Sequence, residues 1–257
     1  MMRPLTTVGI ATPITSCPFS TFDVWFTAAK EHEPIWPQAM NLATISCVTG
    51  RPSSRTVLLQ QWSPEDRCFR FYSNFQSAKG RDIAANSNVA LHFYWRTLGR
   101  QVRIEGTAMQ ASSAVSDAYF NSRPRGHKIS AWASSQSDSI CDANAGAEDG
   151  FDGAVGFSES DDIMKKRVEE VETRFGTDDA VIPRPEWCGV FEVSPTFFEF
   201  WEEGAERRHR RVVFDAAPPP HHHDVPQKET AELEEAASGP QRHLNHPSRW
   251  VMRHVFP

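Results

Sequence analysis

The stretch from Tyr94 to Ser137 sets Arg100, Gln101, Arg103, Tyr119, Arg123 and Arg125 close together inside an apolar, strand-like frame. Ionised side chains are rarely buried without a partner, so cations in such a setting either form a solvated outer face or grip an anion. A second candidate anion seat lies upstream, in Ser77-Ala78-Lys79-Gly80-Arg81. Ser77 has the chemistry of a helix N-cap, the free N–H groups of a first helical turn attract phosphate, and Lys79 adds a mobile positive charge. A third concentration of charge, RRHRRVVF from Arg207 to Phe214, sets four arginines around His209. Left alone that group repels itself, so solvent, acidic neighbours or a bound anion must offset it.

Other chemistries are missing. There is no GxGxxG after a strand, no Walker loop, no GxSxG and no HExxH. The 257 residues include 27 Lys and Arg against 33 Asp and Glu, a net charge of −6. That balance argues against a nucleic-acid partner but is compatible with a local cationic pocket for one small phosphate. The five cysteines, Cys17, Cys47, Cys68, Cys141 and Cys188, form no CxxC pair, so reduced thiols and a cytoplasmic location are expected. His221-His222-His223 has no carboxylate or Cys partner at usable spacing, and no metal is expected. No apolar run approaches the roughly 20 residues of a membrane span, and the N-terminus lacks a secretory h-region.

The elements that must position these groups are mostly strands. Ser20 and Asp23 make a capping box for an amphipathic helix bearing Phe22, Trp25, Phe26 and Ala29, closed by Pro34 and Pro37. A hairpin follows, its strands at Asn41 to Val48 and Thr56 to Leu59. Cys68 to Ser73, Val89 to Trp95 and Gln101 to Thr107 read as further strands, with a helix from Ser77 to about Asn86 and another from Ser112 or Ser113 to before Pro124. A helix from about Asp161 to Phe175 carries Met164, Val168, Val171 and Phe175 as a core stripe. Gly189 to Val193 and Phe197 to Trp201 read as two strands, and Trp250 to Phe256 as a strand that closes a barrel. The fold class is mainly β (α+β): an antiparallel barrel with peripheral helices. Residues 1–18 are expected to be a flexible segment, and 19–257 one domain with mobile inserts at about 138–160 and 215–248.

The wording of six segments resembles the pyridoxine/pyridoxamine 5′-phosphate oxidase family: Arg51 to Gln60, Phe71 to Gly80, Phe93 to Gly106, Tyr119 to Ser137, Ile182 to Gly189 and Glu199 to Trp201. The resemblance implies an FMN-binding split β-barrel acting as a homodimer, with sites at the subunit interface. It places Arg55, Thr56, Val57, Leu58, Leu59, Gln60, Tyr72, Ser73, Ala78, Lys79, Gln101, Gln136, Ser137, Trp187 and Arg211 around FMN. It gives Tyr119, Arg123, Gln60, His127, Arg207 and His209 to a phosphorylated B6 vitamer, with Arg207 and His209 in the catalytic role. The activity implied is oxidation of pyridoxamine or pyridoxine 5′-phosphate to pyridoxal 5′-phosphate, with O2 as acceptor and H2O2 released.

The chain also departs from that pattern. Gln60 stands where a lysine is usual, Ala78 replaces an arginine, and His127 replaces a phosphate-binding serine. The family's WQG becomes Trp201-Glu202-Glu203, and its RLHDR becomes Arg207-Arg208-His209-Arg210-Arg211. Three readings are therefore open: the B6 oxidase, a related flavin-dependent oxidase of another reduced ring, and a non-catalytic flavin-binding paralogue.

Overall fold

Strands in this chain alternate between residues that fill one interior and residues that face outward, and that period-2 pattern builds the sheet. The computed structural model describes residues 13–63, 65–138, 157–176, 180–217 and 249–256. In chain order the strands are β1 (Ala39–Ile45), β2 (Pro52–Leu58), β3 (Gln61–Ser63), β4 (Cys68–Asn74), β5 (Asn88–Trp95), β6 (Arg100–Gln110), β7 (Cys188–Glu202), β8 (Arg210–Ala216) and β9 (Trp250–Val255). The helices are α1 (Pro18–His32), α2 (Ala78–Ala85), α3 (Ser113–Ser122), α4 (Arg125–Ala133) and α5 (Phe157–Phe175).

Pairing runs β2-β1-β5-β6-β7-β4-β3, with β8 on β7 and β9 on β8. Every pair is antiparallel. The curl closes through one continuous run. β2 bonds to β1, Leu59 N–H donates to Gln38 O at 2.9 Å, Gln60 N–H donates to Arg70 O at 2.9 Å, and β3 then pairs with β4. The two end strands of this path thus run into each other along the chain, which curls the sheet into a half-barrel.

β7 explains the split. One side of it pairs with β6 throughout, while on the other side Cys188 to Val193 pairs with β4 and Phe197 to Glu202 pairs with β8. The change of partner brackets Pro195, which has no N–H to give a ladder. Opposite it, at Gly106, the β6 register shifts. A Cβ on Gly106 would lie 2.1 Å from Ser194 O, so only glycine fits this approach.

The interior is aromatic and α1 plugs it. Phe19, Phe22, Trp25, Phe26 and Ala29 of α1 join Phe69, Phe93, Trp95, Phe198 and Phe200 in one core. Phe22 meets Phe69 at 4.8 Å and Phe93 at 5.3 Å between ring centroids. Each such ring removed from water contributes about 1.5–3 kcal/mol. A smaller core of Phe120, Ile129 and Ile182 with Val168, Val171 and Phe175 holds α3, α4 and α5 outside the barrel.

Several expectations are corrected. α1 begins at Pro18, with Cys17 at the cap and no side-chain cap bond, because a proline suits the first turn and Thr15 and Thr21 satisfy each other nearby. The two strands read around Pro195 are one 15-residue strand. α4 follows Pro124 directly, and α5 starts at Phe157, ahead of Asp161. Trp250–Val255 pairs with β8 alone among the described residues, so it extends the sheet, and the β2–β3 run does the closing. Residues 1–12, 139–156 and 218–248, which hold most of the expected N-terminal segment and inserts and the His221-His222-His223 run, lie outside the described residues.

Candidate functional site

Two sets of the singled-out residues assemble, at opposite ends of β7. The first gathers where α2 meets β4. Ser77 caps α2, accepting from Gly80 N–H at 3.3 Å and donating to Asn74 O at 2.7 Å. Lys79 is only 8 % exposed, and its Nζ donates to Ser77 Oγ at 3.1 Å and Gln136 Oε1 at 2.9 Å. Both acceptors are neutral, and among the described residues Lys79 has no carboxylate partner. Burial, with the Arg55 charge adding to it, brings the ammonium down to about 8. Arg55 donates to Thr44 Oγ1 at 2.8 Å, Leu42 O at 3.1 Å and Ser53 Oγ at 2.8 Å, and stands 3.8 Å from Asp82. Burial lowers Arg55 from its ordinary value, with Asp82 opposing. Burial alone would raise Asp82, but the Cys47 N–H, the Thr44 hydroxyl and Arg55 outweigh it and hold its carboxyl below the usual range.

Next to this seat opens a cavity of about 230 Å³ lined by Tyr72, Ser73, Arg123, His127, Gln136 and Cys188 among others. Gln136 joins seat and cavity, accepting from Ser73 Oγ at 3.2 Å as well as from Lys79. The Tyr72 ring takes Tyr119 at 5.1 Å and the Arg123 guanidinium at 4.6 Å. Burial raises Tyr72 and Tyr119 above the ordinary phenol range, and the Arg123 charge opposes this in both. Cys188 and Arg123 flank the buried Tyr72 hydroxyl. Arg123 has no ion-pair partner among the described residues, so a cation lines a space sized for a small anion. Trp187 stands beside this region, its ring against Trp132 at 5.0 Å and its carbonyl accepting from Phe75 N–H at 2.6 Å.

The second set forms a row across three strands. Gln101, Trp201 and Arg211 are in register on β6, β7 and β8, so they share one face. With His92, Arg103 and Glu199 they line a recess of about 250 Å³. His92 Nε2 and Gln101 Oε1 are 3.0 Å apart, which requires the imidazole to donate and turns the Gln101 amide N–H groups away from it. Arg211 and Arg103 each bond Glu199 at 2.8 Å. Burial pushes the Glu199 carboxyl up, but these two arginines prevail and keep it below its ordinary range. His209 packs on Trp201 at 4.7 Å and accepts from Gly204 N–H through Nδ1 at 3.3 Å.

The self-repulsion of RRHRR is resolved by carboxylates, since Arg208 pairs with Glu206, Arg210 with Glu202 and Arg211 with Glu199. Arg207 has no ion-pair partner among the described residues. The remaining candidates are supporting groups. Leu59 is in the core and Val57 packs against it, leaving their main chain for any ligand, while Thr56, Gln60, Ala78 and Ser137 are exposed. Sequence reading missed Cys188, His92, Trp201 and Glu202 as neighbours of these groups. Their only signal is strand parity: His92, Gln101 and Trp201 fall on one face once the register is known.

Comparisons with known proteins bear on the family and the fold. A family model for pyridoxamine 5′-phosphate oxidase matches residues 29–148. A pyridoxine/pyridoxamine 5′-phosphate oxidase of Bordetella petrii is 40% identical over 195 residues, 76% of this chain and 81% of that protein. The same name, identity and coverage hold for a relative from Thermosynechococcus vestitus. The chain belongs to the pyridoxamine 5′-phosphate oxidase family. Among solved structures, PhzG of Burkholderia lata, in complex with tetrahydrophenazine-1-carboxylic acid, superposes with a TM-score of 0.72 at 21% identity, covering 98% of this chain and 100% of that one. A pyridoxamine 5′-phosphate oxidase-related, FMN-binding protein of Nostoc punctiforme does so with a TM-score of 0.60 at 13% identity, covering 95% and 100%. At those identities the likeness concerns the fold, and it makes this oxidase-family chain a split barrel. No described helix is long and apolar enough to cross a membrane.

Proposed function

We propose that this chain is an FMN-dependent oxidase that converts pyridoxamine or pyridoxine 5′-phosphate to pyridoxal 5′-phosphate, with O2 as acceptor and H2O2 as product. The observation that carries the reading is Lys79: a buried ammonium with only neutral partners, at the capped start of α2 and within the electrostatic reach of Arg55. That arrangement suits the phosphate of FMN, which would supply the missing negative charge. When bound, FMN supplies the two-electron acceptor; the protein supplies position and charge.

The position of each residue supports a part for it in this reading. Lys79, Arg55 and the α2 N–H groups hold the cofactor phosphate, and Gln136 and Ser73 fix the Lys79 ammonium. Arg123, Tyr119 and His127 take the substrate phosphate in the Tyr72 cavity. Gln101, with its N–H groups freed by His92, and Arg211 offer donors to the cofactor from the other end of β7. Arg207 and His209 orient the substrate, His209 through the Nε2 proton that its Nδ1 bond to Gly204 selects.

The separation of the two sets supports a homodimer. Val190, beside Tyr72, and Trp201, beside His209, are separated along β7 by a span on the order of 30 Å at about 3.3 Å per residue. A small substrate is much shorter than that span, so in this reading the complete site takes one set from each of two copies.

The deciding experiment incubates purified protein, reconstituted with FMN, with each vitamer in air and measures peroxide. Release stoichiometric with pyridoxal 5′-phosphate is expected, and a protein that takes up no flavin would reject the reading. A flavin-loaded protein inert to both vitamers would favour an oxidase of another reduced ring, to which Gln60 and His127 point because they alter phosphate-facing positions of the family pattern.

A further inference from the structure

Two departures of this chain from its family's wording, Glu202 and Arg210, touch each other. They are register partners on β7 and β8, and Arg210 pairs with Glu202 Oε2. The other carboxylate oxygen, Oε1, receives Arg100 Nε at 3.0 Å and a terminal Arg100 nitrogen at 2.8 Å. Arg100 is itself 1 % exposed and lies over the Trp25 ring at 4.6 Å, so it is part of the barrel interior. The three charges form a line from core to surface across β6, β7 and β8.

What lies between Glu202 and Arg210 is the turn that carries Arg207 and His209. The turn is costly to hold. Glu206 and Arg207 sit in succession at φ 53° and 61°, in the left-handed region that non-glycine residues avoid. Gly204 is pressed so closely against Arg208 that a Cβ would lie 1.9 Å from its carbonyl oxygen. Strained backbone of this kind persists only where its surroundings hold it. At its start, Glu203 N–H donates to Gly99 O at 2.8 Å. Within it Gly204 N–H bonds His209 Nδ1 and Arg208 pairs with Glu206, and at its end the Glu202–Arg210 pair ties it to the sheet.

We propose that Glu202 and Arg210 are positioning residues, a charged latch anchored on buried Arg100 that fixes the Arg207–His209 turn against Trp201. The proposal rests on the functional reading above for what the turn does, but the latch itself is a statement about the fold. An exposed ion pair contributes little because two long side chains must be ordered. Here Glu202 is 17 % exposed and already held by Arg100, so only Arg210, 75 % exposed, has to be ordered.

The test uses the full-length FMN-loaded chain with Arg210→Ala, Arg210→Asp and Arg210→Lys. Arg210 lies on the surface, so these variants fold, and flavin per chain should match the wild type with the melting temperature shifted by no more than about 2 °C. R210A should raise the KM for the phosphorylated vitamer about fivefold with kcat nearly unchanged, R210D should raise it further through repulsion of Glu202, and R210K should return it to within about twofold. The ratio of R210A to wild-type KM should shrink toward one at high salt, because screening weakens the latch while acting on substrate phosphate alike in both proteins. Independently of activity, trypsin should cut after Arg207 and Arg208 about fivefold faster in R210A than in wild type, since the latch holds the turn closed to the protease.

R210A and R210D proteins that match the wild type in both KM and tryptic cutting would overturn the latch. So would a loss of activity that tracks a falling melting temperature, or an R210D no worse than R210A. If the wild type oxidises neither vitamer, the functional reading has failed, and the tryptic rates alone decide the latch.

Discussion

The charge on Lys79 is held against its environment, and this gives the residue opposite effects on stability and on binding. Folding lowers its ammonium from 10.5 to about 8. Below pH 8 both folded and unfolded chains carry the proton, and the folded chain bears the full desolvation cost. Between pH 8 and 10.5 the folded chain has released the proton while the unfolded chain keeps it. Unfolding then takes up a proton, and the flavin-free protein should gain up to about 3 kcal/mol of stability as pH rises through that window. Lys79→Met should abolish that rise and make the flavin-free protein more stable at pH 7, as urea melts at pH 7 and pH 10 would register. The same substitution should weaken FMN binding about 10- to 100-fold, the worth of one charge-assisted bond. A Lys79→Met protein that loses stability at pH 7, or keeps full flavin affinity, would refute the assignment. The seat was legible in the sequence because its parts are local: a capping serine and a lysine within one helical turn. The partners that offset the RRHRR charge were not, because Glu199 and Glu202 reach it only through the β7–β8 register.

At the level of elements, the seat depends on how closely α2 is pressed onto the end of β4. A Cβ on Gly80 would fall 2.1 Å from Phe75 O and 2.9 Å from Asn74 O, both backbone atoms that cannot swing aside. Gly80→Ala should therefore displace the first turn of α2, destabilising the protein by about 1–3 kcal/mol as overpacking does. Flavin affinity should fall with it, and a thermal melt with flavin titration would measure both; an unchanged melt would mean that α2 is not wedged as described. The glycine was visible in the sequence, but the contact was not, since Phe75 meets Gly80 only once β4 has turned back. Periodicity located β1, β2, β4, β5, β6 and the caps of α2 and α3, where local pattern and tertiary environment agree. It failed at Pro195, which reads as a strand end but sits where β7 exchanges β4 for β8 and no bond is demanded of it. It failed again after Pro124, where a proline that ends one helix supplies the cap of the next.

For the molecule as a whole, the separation of Arg123 from His209 along β7 makes a prediction that no single-chain property can mimic. If each catalytic site draws Tyr119 and Arg123 from one copy and Arg207 and His209 from the other, Arg123→Ala and Arg207→Ala homodimers should each be nearly inactive. A hybrid dimer is different: one of its sites carries both substitutions and the other carries neither. Denaturing the two variants together in equal amounts and refolding them should yield hybrids as half of all dimers, each with one intact site. The mixture should then recover about a quarter of wild-type activity from two nearly inactive proteins, as isologous pairing requires. Each variant refolded alone controls for recovery of the fold, and flavin content per chain controls for loading. A mixture no more active than its components, with hybrids demonstrated by tagging one variant, would place both residue sets within one chain's reach and so contradict the strand geometry. The test bears on the sheet because the proposed sharing follows from β7: a 15-residue strand holding the two halves of a small site at its opposite ends leaves a second copy as the means of bringing them together.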